Sequence, residues 1–365
     1  MQSPSPQVLL SGARFRALCM ALAVELNEEI TTLVSDVVPR DAGTYALPGS
    51  FPLHSGPRDR LICELRALPL DGLRQTSDPL EFLPALAVAV DSAMPWQPPF
   101  TVDAITADPS VQRALLPLAA AVLAAPGTAW WRTDVDTSAQ WVTSPTRNGR
   151  LVPASSTGPV ASVLASWSEN HEREEADRSE RGVTAARNVG GAWWSTPHNY
   201  GRSHGEWARP LSSTRRLSTL GALELALVED SFGDEEARLQ RLTATRPLRV
   251  FEVHAPGDWA SLVTRYPRSA RWARVGSWGA STGRHEQWLI PDYRKVAADY
   301  DGIHVSVQGY LATAGEVTPV PSAATVLAGW SPDETFWLTD DVILSRDVEL
   351  WRSKDENLAP VWQRA

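Results

Sequence analysis

The chain has 365 residues, room for two domains at ~150 residues each, and its 43% hydrophobic content is ample for a sizeable core. A net charge of −9 and a pI near 5.4, with no basic run, exclude a general nucleic-acid binder, which needs a basic face. They do not exclude a local arginine pocket. Only Lys295 and Lys354 among the 34 basic residues are lysine, a bias towards planar, bidentate contacts with carboxylates or phosphates. With the Ala, Pro and Gly content, the arginine codons suggest a high-GC bacterial genome. Cys19 and Cys63 lie in apolar helical contexts without metal-ligand spacing and read as packing. The N-terminus lacks a basic n-region, and the apolar stretch 17–26 is too short for a span. The expectation is a cytoplasmic protein with no membrane association.

Residues 1–126 read as a helical scaffold or partner domain. Apolar residues at Phe15, Leu18, Leu22, Leu26, Ile30 and Leu33 predict one helix over 11–37, stopped by Pro39. Further helices are expected at 58–68, 79–93 and 111–125. Residues 127–190 read as a strand pair (128–132 and 140–144), an amphipathic helix over 159–181 and a connector. That helix's charge run, with Glu174 and Arg178 in i,i+4 relation, reads as a solvated face.

Residues 191–365 read as a Trp-rich ligand-binding domain that holds eleven of the sixteen tryptophans. Strands are expected at 192–196, 220–228, 248–254, 287–290, 302–307, 325–328 and 335–338, with helices at 257–266 and 292–298. The fold class is therefore α+β, with N-terminal helices followed by a small, twisted, mainly antiparallel sheet. The pairs Trp130-Trp131 and Trp193-Trp194, if on strands, each place one indole in the core and one on the opposite face.

Three strand ends collect polar groups of the kind small-molecule sites use. The first is Ser195-Thr196 running into His198, Asn199 and Tyr200, with His204 nearby; its plain alternative is a capped turn. In the second, Glu229-Asp230-Ser231, Asp230 or Ser231 reads rather as the cap of a helix starting near Asp234. The third is Tyr300-Asp301-Gly302-Ile303-His304. His254, His285 and His304 lie on separate segments without zinc-motif spacing, so no metal site is expected. No P-loop or Gly-x-Gly-x-x-Gly is present.

Over about 191–338, the Trp-Trp-Ser-Thr segment, Arg249-Val250-Phe251-Glu252-Val253-His254 and Tyr300-Asp301-Gly302-Ile303 together resemble the layout of ADP-ribosyltransferase-like domains. That resemblance implies NAD as ligand, with Ser195, Thr196, His198 and Tyr300 around it and Glu286 stabilising an oxocarbenium-like transition state. The Asp301–His304 block also resembles the acid–histidine block of SGNH hydrolases, which implies Ser231 as nucleophile, His304 as base and Asp301 as its orienting acid. The chain resembles uncharacterised Trp-rich actinobacterial proteins as well. A non-catalytic module with a Trp/Arg surface for a protein partner is the alternative from another class.

Overall fold

Asn27 divides the expected long N-terminal helix in two. Its backbone is extended (φ −153°, ψ 102°), and its side-chain oxygen accepts the Glu29 N–H at 3.1 Å, so Ala13–Leu26 ends and Glu29–Asp36 begins there. The structure, a computed structural model, describes residues 5–39, 43–182, 192–200, 207–217, 219–229, 233–354 and 361–365. Helices Ser55–Arg66, Leu83–Asp91 and Pro109–Ala124 follow. The last is capped by Asp108, which accepts from Ser110 and Val111 N–H.

Among the described residues no single helix is long and apolar enough to cross a membrane. The Ala13–Leu26 helix is buried on nearly every side, Arg14 and Arg16 included. One contiguous apolar cluster runs from Leu9 through Phe15, Trp131 and Trp259 to Leu338, across the expected boundary at residue 126. The two halves meet closely at Gly12, where an added Cβ would stand 2.4 Å from the Leu311 carbonyl oxygen.

The fold is mixed α+β with a mainly antiparallel sheet, as expected, but among the described residues the sheet has ten strands rather than few. Its main path is built from β1 Gln140–Arg147, β2 Ser212–Arg215, β3 Glu236–Ala244, β4 Val250–Val253, β5 Gly302–Val305, β6 Glu334–Trp337, β7 Glu349–Lys354 and β8 Val361–Arg364. The spatial order is β8-β7-β3-β1-β2-β6-β5-β4, and only the β5–β4 pair on this path is parallel. The strand from the middle region thus lies inside the same sheet as the C-terminal strands.

Several local expectations are corrected. Pro126–Arg132 forms a 3-10 helix, so Trp130 and Trp131 do not alternate across a sheet. Ala192–Thr196 forms no strand, although Ser195 bonds to the Ala328 backbone. Within 220–228 the chain forms the short 3-10 turn Leu223–Leu225, and the segment after Asp234 is strand β3 rather than a helix. The helices Val160–Glu180, Pro256–Arg265 and Tyr293–Asp299 form close to their expected places, and Arg178 Nε meets Glu174 at 3.2 Å.

Candidate metal centre

Strands β4 and β5 run parallel with His304 directly opposite Glu252. Alternation sends Ile303 and Val305 into the main apolar cluster and leaves His304 and Glu252 together on the other face. Parallel strands tend to present ligand-binding groups beyond their carboxyl ends. Here those ends lead into His254 and Ser306.

His304 is fully buried and both ring nitrogens are engaged, Nδ1 with Glu252 Oε2 at 2.5 Å and Nε2 with Asp333 Oδ1 at 3.3 Å. Burial alone would depress its pKa, but the bonds to Asp333 and Glu252 outweigh it and lift the imidazole to about 9. Asp333, itself in the left-handed region at φ 63°, accepts from the Arg215 backbone at 2.9 Å and from Arg215 Nε at 2.6 Å. The arginine lies over the Trp130 ring at 5.2 Å. A charged chain, Arg215–Asp333–His304–Glu252, therefore fixes Oε2 of the Glu252 carboxylate.

A second histidine approaches this same oxygen, while Glu252 Oε1 accepts the Val135 N–H at 3.1 Å. His254 Nε2 stands 2.9 Å from Asp134 Oδ1 and 4.0 Å from Glu252 Oε2. Its Nδ1 is held at 2.9 Å by Ser306 Oγ, the cap of helix Val307–Thr313. The donor atoms of Asp134, Glu252 and His254 all lie within 4.8 Å of one another. Ligands ~2.1 Å from a shared ion stand ~3–3.5 Å apart, a spacing that 2.9 and 4.0 Å bracket. The His254 side chain is 8% exposed, Glu252 20% and Asp134 75%, so the cup is walled by protein on one side and open on the other. An anchored far nitrogen with an exposed coordination side is the arrangement of a metal site that keeps room for water or substrate.

Other expected site residues lie elsewhere. Asp301 precedes β5, at the opposite end of the strand from Ser306, and is held by Arg246 at 2.8 and 3.1 Å and by the Arg249 N–H at 2.7 Å. The Arg246 bond, opposed only in part by burial, draws its carboxyl down to about 2. Asp301 therefore pairs with arginine, while His304 is oriented by Glu252 and Asp333. Glu286 pairs with its neighbour Arg284 at 3.0 Å, and His285 is exposed beside it. Ser195 is fully buried, with its hydroxyl bonded to both polar groups of the Ala328 backbone at 3.0 and 3.2 Å and its carbonyl accepting from the Tyr293 hydroxyl. Thr196 Oγ1 meets His198 Nδ1 at 2.5 Å; burial, then Arg209 and Arg274, push this imidazole's pKa well down. Tyr300 accepts from Arg265 at 3.3 Å and packs edge-on against Phe251. Asp230, Ser231 and His204 lie outside the described residues.

Glu229, at the second expected strand end, is buried. It accepts from the Tyr310 hydroxyl at 2.9 Å and from the Gly329 N–H at 2.7 Å, and burial raises its pKa to about 8. Most tryptophans are core: Trp167, Trp259, Trp278, Trp288, Trp330 and Trp337 are among the largest fully buried side chains. The exposed large hydrophobics among the described residues are aliphatic, with Tyr45 the one aromatic.

Sequence reasoning gave no site role to Asp134, Ser306, Asp333 or Arg215; it carried Glu252 only inside a resembling segment and His254 as a histidine without ligand spacing. Asp134 gave no signal, since 120 residues separate it from His254. Asp-Val-Asp after a Trp-Trp-Arg segment has no ligand spacing.

Fold and site together define a mixed α+β protein with a histidine–carboxylate cluster at the carboxyl ends of a parallel strand pair. The chain matches no protein family, no curated protein and no solved structure.

Proposed function

We propose that the protein binds a divalent cation through Asp134, Glu252 and His254 and uses it on an anionic small-molecule ligand. The observation that supports this reading is the convergence of three donor atoms within 4.8 Å, open on the Asp134 side. Two carboxylate oxygens and one imidazole form a donor set suited to Zn²⁺ or Mn²⁺. Such an ion polarises a phosphoryl or carbonyl oxygen, or lowers the pKa of a bound water. The protein's own groups do the positioning. Ser306 orients the His254 ring, while His304, itself held by Asp333, fixes Glu252 through Oε2.

The NAD-type ligand implied by the sequence resemblance enters this reading through its pyrophosphate oxygens, which suit a hard cation. It does not rest on Ser195, whose polar atoms are bonded within the fold, or on Glu286, which is paired with Arg284.

The test is a thermal-shift series on the metal-stripped full chain with Mg²⁺, Ca²⁺, Mn²⁺ and Zn²⁺, each alone and then with NAD, ADP or an acyl ester. The reading expects a rise in Tm with Mn²⁺ or Zn²⁺, and a further rise with a nucleotide only when the ion is present. Equal nucleotide shifts with and without metal would detach ligand binding from this cluster. No shift with any ion would remove the cluster as a metal site.

A further inference from the structure

Strand β1 turns back on itself at Asn148-Gly149. Arg147 pairs with Arg150 and Thr146 with Leu151, so the loop is the Asn-Gly pair alone, with φ 52° at Asn148 and 71° at Gly149. Positive φ at both positions is the type I′ turn, for which Asn-Gly is a favoured pair. Gly149 is needed for its conformation and not for space, since an added Cβ would meet nothing within 4 Å.

The same dipeptide is chemically labile, asparagine being among the thermolabile residues. The backbone nitrogen of the next residue can attack the asparagine side-chain amide. A side chain on that next residue, burial, and hydrogen bonds to the amide all hinder the attack. Of Asn27, Asn148, Asn170, Asn188, Asn199 and Asn357, only Asn148 precedes a glycine. Asn148, Gly149 and Arg150 are all exposed. Among the described residues no hydrogen bond engages the Asn148 side chain or the Gly149 N–H. Asn27, by contrast, donates to Glu64 at 3.0 Å and accepts the Glu29 N–H at 3.1 Å, and Asn170 accepts from Arg173. The residues that follow those two, Glu28 and His171, carry side chains that screen the backbone nitrogen.

We propose that Asn148 is a self-modification site, at which the folded protein loses ammonia and lengthens its own backbone. The Gly149 nitrogen gives its proton to water and bonds to Asn148 Cγ. The Cγ–Nδ2 bond breaks, Nδ2 takes a proton from water and leaves as ammonia, and a succinimide ring remains. Water then opens the ring. Addition at Cγ gives aspartate, whereas addition at the main-chain carbonyl gives isoaspartate, with an extra methylene in the backbone. Aspartate suits the same turn. Isoaspartate does not, because the register Arg147↔Arg150 rests on a loop of two ordinary residues. The two-residue strand Arg150–Leu151, exposed throughout, then comes away from β1. The Val152 N–H bond to the Pro145 carbonyl, 2.8 Å, goes with it. Strand β1 itself stays tied at Arg147, which holds Asp234 at 2.9 and 3.0 Å. The site is independent of the metal cluster and stands or falls separately from it.

The test is storage of the full chain at mildly alkaline pH, followed by peptide mass analysis that separates aspartyl from isoaspartyl forms. Both forms should accumulate at Asn148, at least about tenfold faster than any conversion at Asn27 or Asn170. Hydrogen exchange at the Val152 amide should rise in the isoaspartyl fraction. Gly149→Ala separates screening from strain. Its Cβ screens the nitrogen and should slow conversion at least about tenfold, whereas strain at φ 71° would loosen the turn and speed it. Asn148→Gly keeps a type I′ turn and should keep Val152 protected through the same storage. Conversion only after unfolding in urea, aspartate without isoaspartate, or unslowed conversion in Gly149→Ala would each overturn the proposal.

Discussion

His254 Nε2 stands 2.9 Å from Asp134 Oδ1, although 120 residues separate the two. The contact depends on two placements. Strand β4 delivers His254 at its carboxyl end, and the segment after the Pro126–Arg132 turn crosses over it, tied down by the Val135 N–H on Glu252 Oε1 at 3.1 Å. The third donor, Glu252, is itself part of the strand.

Ser306 links the cluster to the fold. It caps Val307–Thr313 by accepting the Gly309 N–H at 3.1 Å and holds His254 Nδ1 at 2.9 Å. Ser306→Ala should cost ~1 kcal/mol of stability through the lost cap. It should also weaken metal binding by about 10- to 100-fold through the freed imidazole. Urea denaturation and metal titration measure the two effects separately, and a stability loss with unchanged metal affinity would refute the orienting role.

Glu229 makes stability depend on pH. Burial raises its pKa from the usual carboxylate range to about 8, and Glu334 is raised to about 7 by burial and by Glu224. Both folded-state values lie above those of the unfolded chain. Their contribution is therefore complete below the ordinary carboxylate range and is lost as pH climbs towards about 8, at up to ~1.4 kcal/mol per unit for each group. Glu229→Gln keeps both bonds, with the amide oxygen accepting from Gly329 and the amide nitrogen donating to Tyr310. It should flatten the fall in denaturation free energy between about pH 5 and about pH 8. An unchanged slope would mean that Glu229 is not the source.

Asp301 acts in the opposite sense. Its pKa is drawn down to about 2, chiefly by Arg246. Its stabilisation is present above the ordinary carboxylate range and is lost as pH falls through that range towards about 2. Asp301→Asn should cost ~1.5–3 kcal/mol at neutral pH, the scale of hydrogen bonds to a charged group, and leave metal affinity unchanged. A large loss of metal affinity in this variant would tie Asp301 to the cluster after all.

Gly309 tests how tightly the strand that carries Glu252 is seated. A Cβ there would lie 2.0 Å from the Val253 carbonyl oxygen, on the strand end that leads into His254. Gly309→Ala should destabilise the fold by at least ~2 kcal/mol and weaken the cluster with it. Gly257→Ala, whose Cβ would meet nothing within 4 Å, is the control that should leave the metal affinity in place.

Where a residue's local pattern agreed with its tertiary surroundings, the sequence was readable. Gly302–Val305 forms within the strand expected over 302–307, and the helix expected to stop at Pro39 ends at Asp36. Readability failed where packing overruled propensity. The aromatic, β-like run 128–132 closes into a 3-10 turn, with Trp131 buried beside Phe82. Strand β3 was missed because its charged residues, among them Glu236, Arg238 and Arg241, hide Ala237 and Leu239, buried on one face, and Leu242, buried on the other. At the site, His254, Glu252 and His304 were visible as chemistry. Their partners were not: strand register pairs Glu252 with His304, chain crossing brings Asp134 to His254, and no spacing along the sequence encodes either contact.

The most direct measurement is calorimetric titration of Zn²⁺ and Mn²⁺ into the metal-stripped full chain, beside His254→Ala. One ion per chain should bind the unaltered protein, with affinity reduced by at least about 100-fold in the variant, because the imidazole is the one nitrogen donor of the set. Binding of equal strength in both proteins, or no binding heat in either, would contradict a metal centre at Asp134, Glu252 and His254.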